Sequence, residues 1–536
     1  MLKMKSKSKT ITRRLVSILA IIIAFAMALS GCGDKETGDA DTTDTPKIAY
    51  YAYFSEPILD WDPSVEFSSG TIVLNNIYET LLRYNPEEDS FEPILATEYT
   101  HSEDGMLWTF TLREGVKFHD GTVMDAEAVK FSIDRTINLG KGASYVWDAV
   151  KEIRVVEPYK VEFELKYPAP IDLISSCCYS SFIMSPTAVN EDYENWAAGG
   201  KEAGTGPYML QSTKMGEEVI LTQFPDYWGG WEGEHFSKVL IKKVPETASR
   251  RQMVETGEAD VTVELPYEDV QALSGVEAVN INRAASFNNL TVFMNNLKEP
   301  LNDVKVRQAL SYAFPYEDVI KYAMGDYAKQ SKGPVPAGLW GHGKDLPQYE
   351  TDLEKARTLL AEAGYADGFK LLLTYMSGDE AEKKSAELFK SELNKIGVDL
   401  EIRAMPWESQ WELSRHTDPN ERQDMMMMYW WPDYASPYSY LYNMFHSEEE
   451  PMYNLSYYSN ETFDNMIDEA NVLSASDRVK AEEMFIEAQE ILIEEAAAIF
   501  AYDKEFVWVT NSSFAGLNNN PVYPNVVFFY DTYRTK

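Results

Sequence analysis

The residues best suited to chemistry fall in one short stretch: Tyr429, Trp430, Trp431, Asp433 and Tyr434. A lone carboxylate among large aromatic faces suits a ligand that is part apolar and part cationic or hydroxylated. A plainer reading makes the tryptophans core and Asp433 the cap of the turn that follows. Covalent or metal chemistry has less support. No G-x-S-x-G, H-E-x-x-H, P-loop or C-x-x-C pattern occurs, so no catalytic residue is nominated and no cofactor is expected. The six histidines are scattered without ligand-like spacing, and no metal site is expected. A secreted hydrolase stays open as a reading of another class, because paired carboxylates among 86 acidic residues would be separated in space and not in sequence.

The elements that must hold this stretch can be read locally. Met425 to Trp431 is an apolar run of strand length, and Pro432 and Pro437 oppose its continuation as helix. The chain therefore leaves the interior at Trp431 and presents Asp433. Leu388, Phe389, Leu393 and Ile396 form one helical face closed by Gly397, and Val398 to Ala404 alternates as a strand, which together make an α/β unit. Thr351-Asp352-Leu353-Glu354 reads as a capping box, with Gly364 ending its helix. A helix over Ser476 to Glu495 precedes a strand over Ala498 to Tyr502. Upstream, Ile48 to Phe54 and Trp108 to Leu112 read as strands, Asp120-Gly121 as a turn, and Asp125 as a helix cap.

The chain opens with an address. Six basic residues up to Arg14 precede a continuous apolar run, Leu15 to Leu29, and then Leu29-Ser30-Gly31-Cys32. The run is short for a membrane span and has the flanks of a secretory signal. Small residues before a cysteine resemble the lipobox of bacterial lipoproteins. That implies cleavage of residues 1–31 and a lipid on Cys32, which would anchor the protein at the cell membrane on its extracytoplasmic face. Residues 32–47, acidic and without a large apolar side chain, read as a flexible tether. Net charge is −38, and losing the leader, with six bases and no acid, takes it to −44. Such a surface repels nucleic acid, so no nucleic-acid partner is expected. Cys177 and Cys178 are adjacent, where a disulfide would be strained, and read as small buried side chains.

Further motifs carry a resemblance. LREGVKFHDGTVMDAEAVKFSIDR (Leu112 to Arg135) is similar to the signature region of the solute-binding proteins of peptide and nickel importers, the family 5 receptors of ATP-driven transporters. The similarity continues through Gly204 to Tyr208, Phe224 to Trp228, Gly257 to Asp260, Phe293 to Asn296, Pro300 to Leu310, Tyr349 to Tyr365 and the Trp430 to Pro437 stretch. The resemblance implies an α/β, periplasmic-binding-protein-like fold of the type II, cluster C kind. Two lobes would surround a ligand cleft, with an extra inserted subdomain. By analogy lobe I covers 46–85, 201–292 and 510–536, the insert 86–200 and lobe II 293–509. It also implies that Asp433 pairs with a peptide's α-ammonium. Trp430, Trp431, Tyr429 and Tyr434 would stand beside it. Glu66, Phe67, Ser68 and Ser69 match a lining loop, Trp407 or Trp411 falls near a pocket tryptophan, and Tyr145 and Trp147 of the insert would be further walls.

The implied function is a lipid-anchored, extracytoplasmic receptor that captures peptides and passes them to an importer's permease and ATPase. One departure widens the ligand class. Some peptide receptors carry an arginine on the strand entering the aspartate motif, where it helps bind a ligand carboxylate; here Met425 to Met428 occupy that strand, and Arg422 lies before it. A peptide's C-terminus would need another partner, which leaves oligosaccharides as the alternative ligand and nickel complexes as a lesser one.

Overall fold

The computed structural model describes residues 47–187, 201–449 and 452–535. The leader, Cys32 and all but the last residue of the tether lie outside the described residues.

Two unusually long strands, Val279–Met294 and Ala498–Asn511, run antiparallel at the middle of an eleven-stranded mixed sheet. Beyond Ala498–Asn511 come Val261–Val263, Ile48–Tyr53, Lys238–Lys243, Glu218–Gln223 and Tyr208–Lys214. Beyond Val279–Met294 come Met425–Trp430, Lys370–Met376 and Asp399–Met405. The two groups attach to opposite ends of the long pair. Val261 to Val263 pair with Trp508 to Thr510, whereas Met425 to Trp430 pair with Asn289 to Met294. Between these ends the register of the long pair shifts twice, once from Ala285 to Asn289 and again from Leu290 to Thr291. The chain thus forms two α/β lobes that share two continuous strands, and the ladder breaks where those strands pass from one lobe to the other.

Local sequence explains most elements. The parallel strands Lys370–Met376 and Asp399–Met405 are joined by the helix Glu380–Lys395, with Gly397 at φ +84° supplying the left-handed turn between helix and strand. Asp379 caps that helix by accepting from the Glu382 amide at 2.8 Å, and Asp125 caps Ala126–Leu139 by accepting from the Ala128 amide at 3.1 Å.

Two local expectations need correction. The cap of Leu353–Glu362 is Asp352, which accepts from the Glu354 and Lys355 amides, and not Thr351. The Thr351 hydroxyl instead donates to the Phe314 carbonyl at 2.7 Å, a tertiary bond the local pattern cannot contain. The strand expected to stop at Tyr502 runs on to Asn511. Its polar residues have partners: buried Asp503 accepts from the Ser331 hydroxyl at 2.6 Å and the Ala337 amide at 3.0 Å.

A separate four-stranded sheet, in the order Ala96–His101, Leu107–Leu112, Lys160–Leu165, Val150–Glu157, packs with the helix Ala126–Leu139. Arg135 on that helix grips Asp62 through both guanidinium nitrogens, at 2.8 and 2.7 Å. His119 and Asp120 face different partners. The ring of His119 is buried between the Glu202 carboxylate, 2.7 Å, and the Gly206 carbonyl, 2.8 Å. Burial opposes a charge on that ring, but these two acceptors outweigh it and its pKa is raised.

Candidate functional site

Two cavities meet the elements described above. The larger, about 670 Å³, opens between the lobes. Phe67, Ser68 and Ser69 contribute to its wall from one side, and Tyr429, Trp431 and Lys504 from the other. Glu66, only 4 % exposed, does not line it. Its carboxylate turns back to accept from the Ser68 amide at 2.6 Å and the Gly70 amide at 3.3 Å, which folds the loop that carries Phe67 to Ser69. A Cβ at Gly70 would come within 2.7 Å of the Glu66 side chain, so that fold requires glycine. Tyr429 is fixed by a hydroxyl-to-hydroxyl bond to Tyr502 at 2.7 Å.

Two ion pairs border this cavity. Lys504 meets both oxygens of Glu264 at 3.0 Å, and Lys384 pairs with Glu268 across the gap between the lobes. Glu264 sits at φ +51°, a left-handed conformation uncommon outside glycine, and the Arg250 guanidinium holds its carbonyl at 2.9 Å. Burial works against the Lys504 charge, but Glu264 overrides it and raises the amine's pKa.

The second cavity, about 530 Å³, lies between the inserted sheet and the second lobe. Asp433 and Tyr434 line it together with Tyr145, Tyr438, Tyr442 and Tyr453. The Asp433 carboxylate accepts from the Asn443 amide at 2.8 Å, the Ser439 hydroxyl at 3.2 Å and the Tyr145 hydroxyl. All three donors are neutral. Burial pushes the Asp433 pKa up to about 6, even though these hydrogen bonds favour the charged form.

The aromatic residues nominated from sequence divide. Trp431 is 40 % exposed in the inter-lobe cavity, and Tyr145 faces Asp433. Trp430 lies outside both cavities: its ring nitrogen donates to the Ser439 carbonyl at 3.2 Å and its ring makes an edge-to-face contact with Tyr453. Trp147 is core of the inserted subdomain, 1 % exposed, stacked on Phe163 and donating to the Ser180 carbonyl. Trp407 and Trp411 share the helix Trp407–Ser414 and line neither cavity, although Trp411 backs Tyr453. Cys177 and Cys178 are buried and free, and the Cys177 thiol donates to the Asp433 carbonyl. Sequence reasoning missed Tyr179, Arg250, Glu264, Asn443 and Lys504. Each sits on a different element, and only Lys504, a cation flanked by acids after an apolar strand, left any trace. Among the described residues no group of His, Cys, Asp or Glu is placed to hold a metal ion, and no helix is long and apolar enough to cross a membrane.

Comparison with known proteins is consistent across sequence and structure. The family described as "Bacterial extracellular solute-binding proteins, family 5 Middle" matches residues 90–451. The chain is 28 % identical over 474 residues to the probable D,D-dipeptide-binding periplasmic protein DdpA of Escherichia coli, covering 87 % of this chain and 90 % of that one. It is 28 % identical to the glutathione-binding protein GsiB of Salmonella paratyphi A, over 82 % of this chain and 85 % of that one. Among solved structures, the periplasmic binding protein DppA of Helicobacter pylori, in complex with the peptide STSA, superposes with a TM-score of 0.78 at 26 % identity, covering 91 % of this chain and 98 % of that one.

Proposed function

The chain belongs to family 5 of the bacterial extracellular solute-binding proteins, and on that premise we propose that it captures short peptides between its lobes and delivers them to the permease of an ATP-driven importer. The observation that carries this reading is Asp433, a desolvated carboxylate on a cavity wall whose hydrogen-bond partners are all neutral. A peptide's α-ammonium supplies the missing cation, and a charge-assisted bond outweighs a neutral one. The peptide-holding structure from Helicobacter pylori and the D,D-dipeptide name of the Escherichia coli relative support the same ligand class. Oligosaccharides remain the second reading, favoured by the exposed Trp431 face.

The inter-lobe volume falls within the usual range for small-ligand sites, about 300–1,000 Å³. We read the division into lobe I (46–85, 201–292, 510–536), insert (86–200) and lobe II (293–509) as the working units of closure, with 1–31 a leader and 32–47 a tether from lipidated Cys32. Binding without turnover is the activity this predicts. A thermal-shift screen of peptide and oligosaccharide libraries, followed by recovery of the bound molecule intact, tests it. Stabilisation by sugars alone would replace the peptide reading, and recovery of cleaved ligand would replace the receptor reading.

A further inference from the structure

We propose that Lys504 takes the carboxylate end of the ligand, so that the receptor reads both termini of a short zwitterionic chain. This rests on the peptide reading above and adds to it the partner for the C-terminus. The two cavities differ in charge. Asp148, Asp433, Glu448 and Asp468 line the one that holds Asp433, and no lysine or arginine does. Arg250, Lys384 and Lys504 line the other, together with Glu264, Glu268, Asp379 and Glu380. A chain with its ammonium at Asp433 therefore has cations only on its far side.

Exposure and bonding single out Lys504 among the three. The Lys384 side chain is one-third exposed and its partner Glu268 two-thirds exposed, so water and salt screen that pair. Arg250 is 2 % exposed and spends its terminal nitrogens on the carbonyls of Val244, Pro245 and Glu264, so it cannot reorient without breaking them. Its Nε has no partner, and its charge still adds to the field.

Lys504, with a side chain 16 % exposed, carries three donors on a flexible stem, and Glu264 occupies at most two of them. Glu264 keeps Lys504 charged. Within the triad of Arg250, Lys504 and Glu264 one positive charge is in excess, while Lys384 is paired with Glu268 and exposed Glu380 with Lys383. Asp379 also faces this group, but it is committed to capping Glu380–Lys395, and burial disfavours its charge. No other cation is offered from the Met425–Trp430 strand.

Calorimetry with tri-alanine, tri-alanine amide and N-acetyl-tri-alanine tests the assignment. Wild type should bind the free acid about tenfold or more tighter than the amide. Lys504→Met should bind acid and amide alike, and Lys504→Arg should keep the preference. A Lys504→Met protein that melts normally yet keeps the wild-type ratio of acid to amide would overturn the proposal. If acetylation weakens binding to wild type and amidation does not, the role of Lys504 fails while that of Asp433 stands. If none of the three binds wild type, the peptide reading fails and this assignment goes with it.

Discussion

The indole nitrogen of Trp431 donates to the hydroxyl of Tyr179 at 3.1 Å, and both side chains border the inter-lobe cavity. The bond ties the aspartate motif of the second lobe to the inserted segment, and it separates two tryptophans that are neighbours in sequence. Trp431→Ala should weaken ligand binding with a modest effect on stability, because its face is open. Trp430→Ala should cost about 3–5 kcal/mol of stability, as for other buried aromatic truncations. Paired melts and titrations of the two variants check this, and equal effects on both quantities would refute the division.

Asp433→Asn keeps the shape and removes the charge. Loss of one partner of a buried charge pair costs about 2–5 kcal/mol, so the dissociation constant for a free peptide should rise roughly thirty-fold or more. N-acetylated peptide should bind wild type poorly for the same reason. Undiminished affinity in the asparagine variant would remove the ammonium role.

The raised pKa of Asp433 gives a pH signature. Its folded value of about 6 lies above the ordinary carboxylate value, so its contribution to stability is complete below about pH 4 and is lost as pH rises through 6. Ligand affinity runs the other way. An ammonium binds the ionised form, so affinity should fall as pH drops below 6, by up to about tenfold per unit, with proton release on binding. Titrations at pH 5 in buffers of different ionisation heat would show that release, and Asp433→Asn should abolish it.

Ligand should bring the lobes together, since groups from both lobes line the cavity and a bound molecule would be contacted from both sides. Small-angle scattering should show a smaller radius of gyration at saturation. An unchanged radius far above the dissociation constant would mean a rigid site.

Cys32→Ala should release the protein from membranes or leave its leader uncleaved, because the proposed lipid would attach at that sulfur. Fractionation and intact mass decide it; a processed variant that stays on the membrane would exclude the anchor.

The motif residues were legible where local rules suffice. Pro432 ends the methionine strand, Asp125 caps its helix, and Asp433 emerges directly after Pro432. Which tryptophan faces the inter-lobe cavity was not legible, since Trp430, Trp431 and Trp147 share one chemistry and differ only in what packs on them. Lys504 was hidden differently. Asp503, Lys504 and Glu505 interrupt an apolar pattern and so mark the end of a strand in sequence, yet each meets a partner on a remote segment: Ser331, Glu264 and Arg283. The Thr351 box likewise yielded to Asp352 because Phe314, far away in sequence, claims the threonine hydroxyl.

The two long strands shared by the lobes also work as a clock. A molecule enclosed between lobes that hang from Val279–Met294 and Ala498–Asn511 cannot diffuse away until those strands flex where their register breaks. Its residence time is then bounded by how often the ladder bends near Ala285 and Asn289, and not only by the contacts it makes. Substitution of Ser286, whose hydroxyl donates to the Lys504 carbonyl and accepts from the Asn288 amide, would change how long a peptide stays by altering the bend, with every recognising side chain kept.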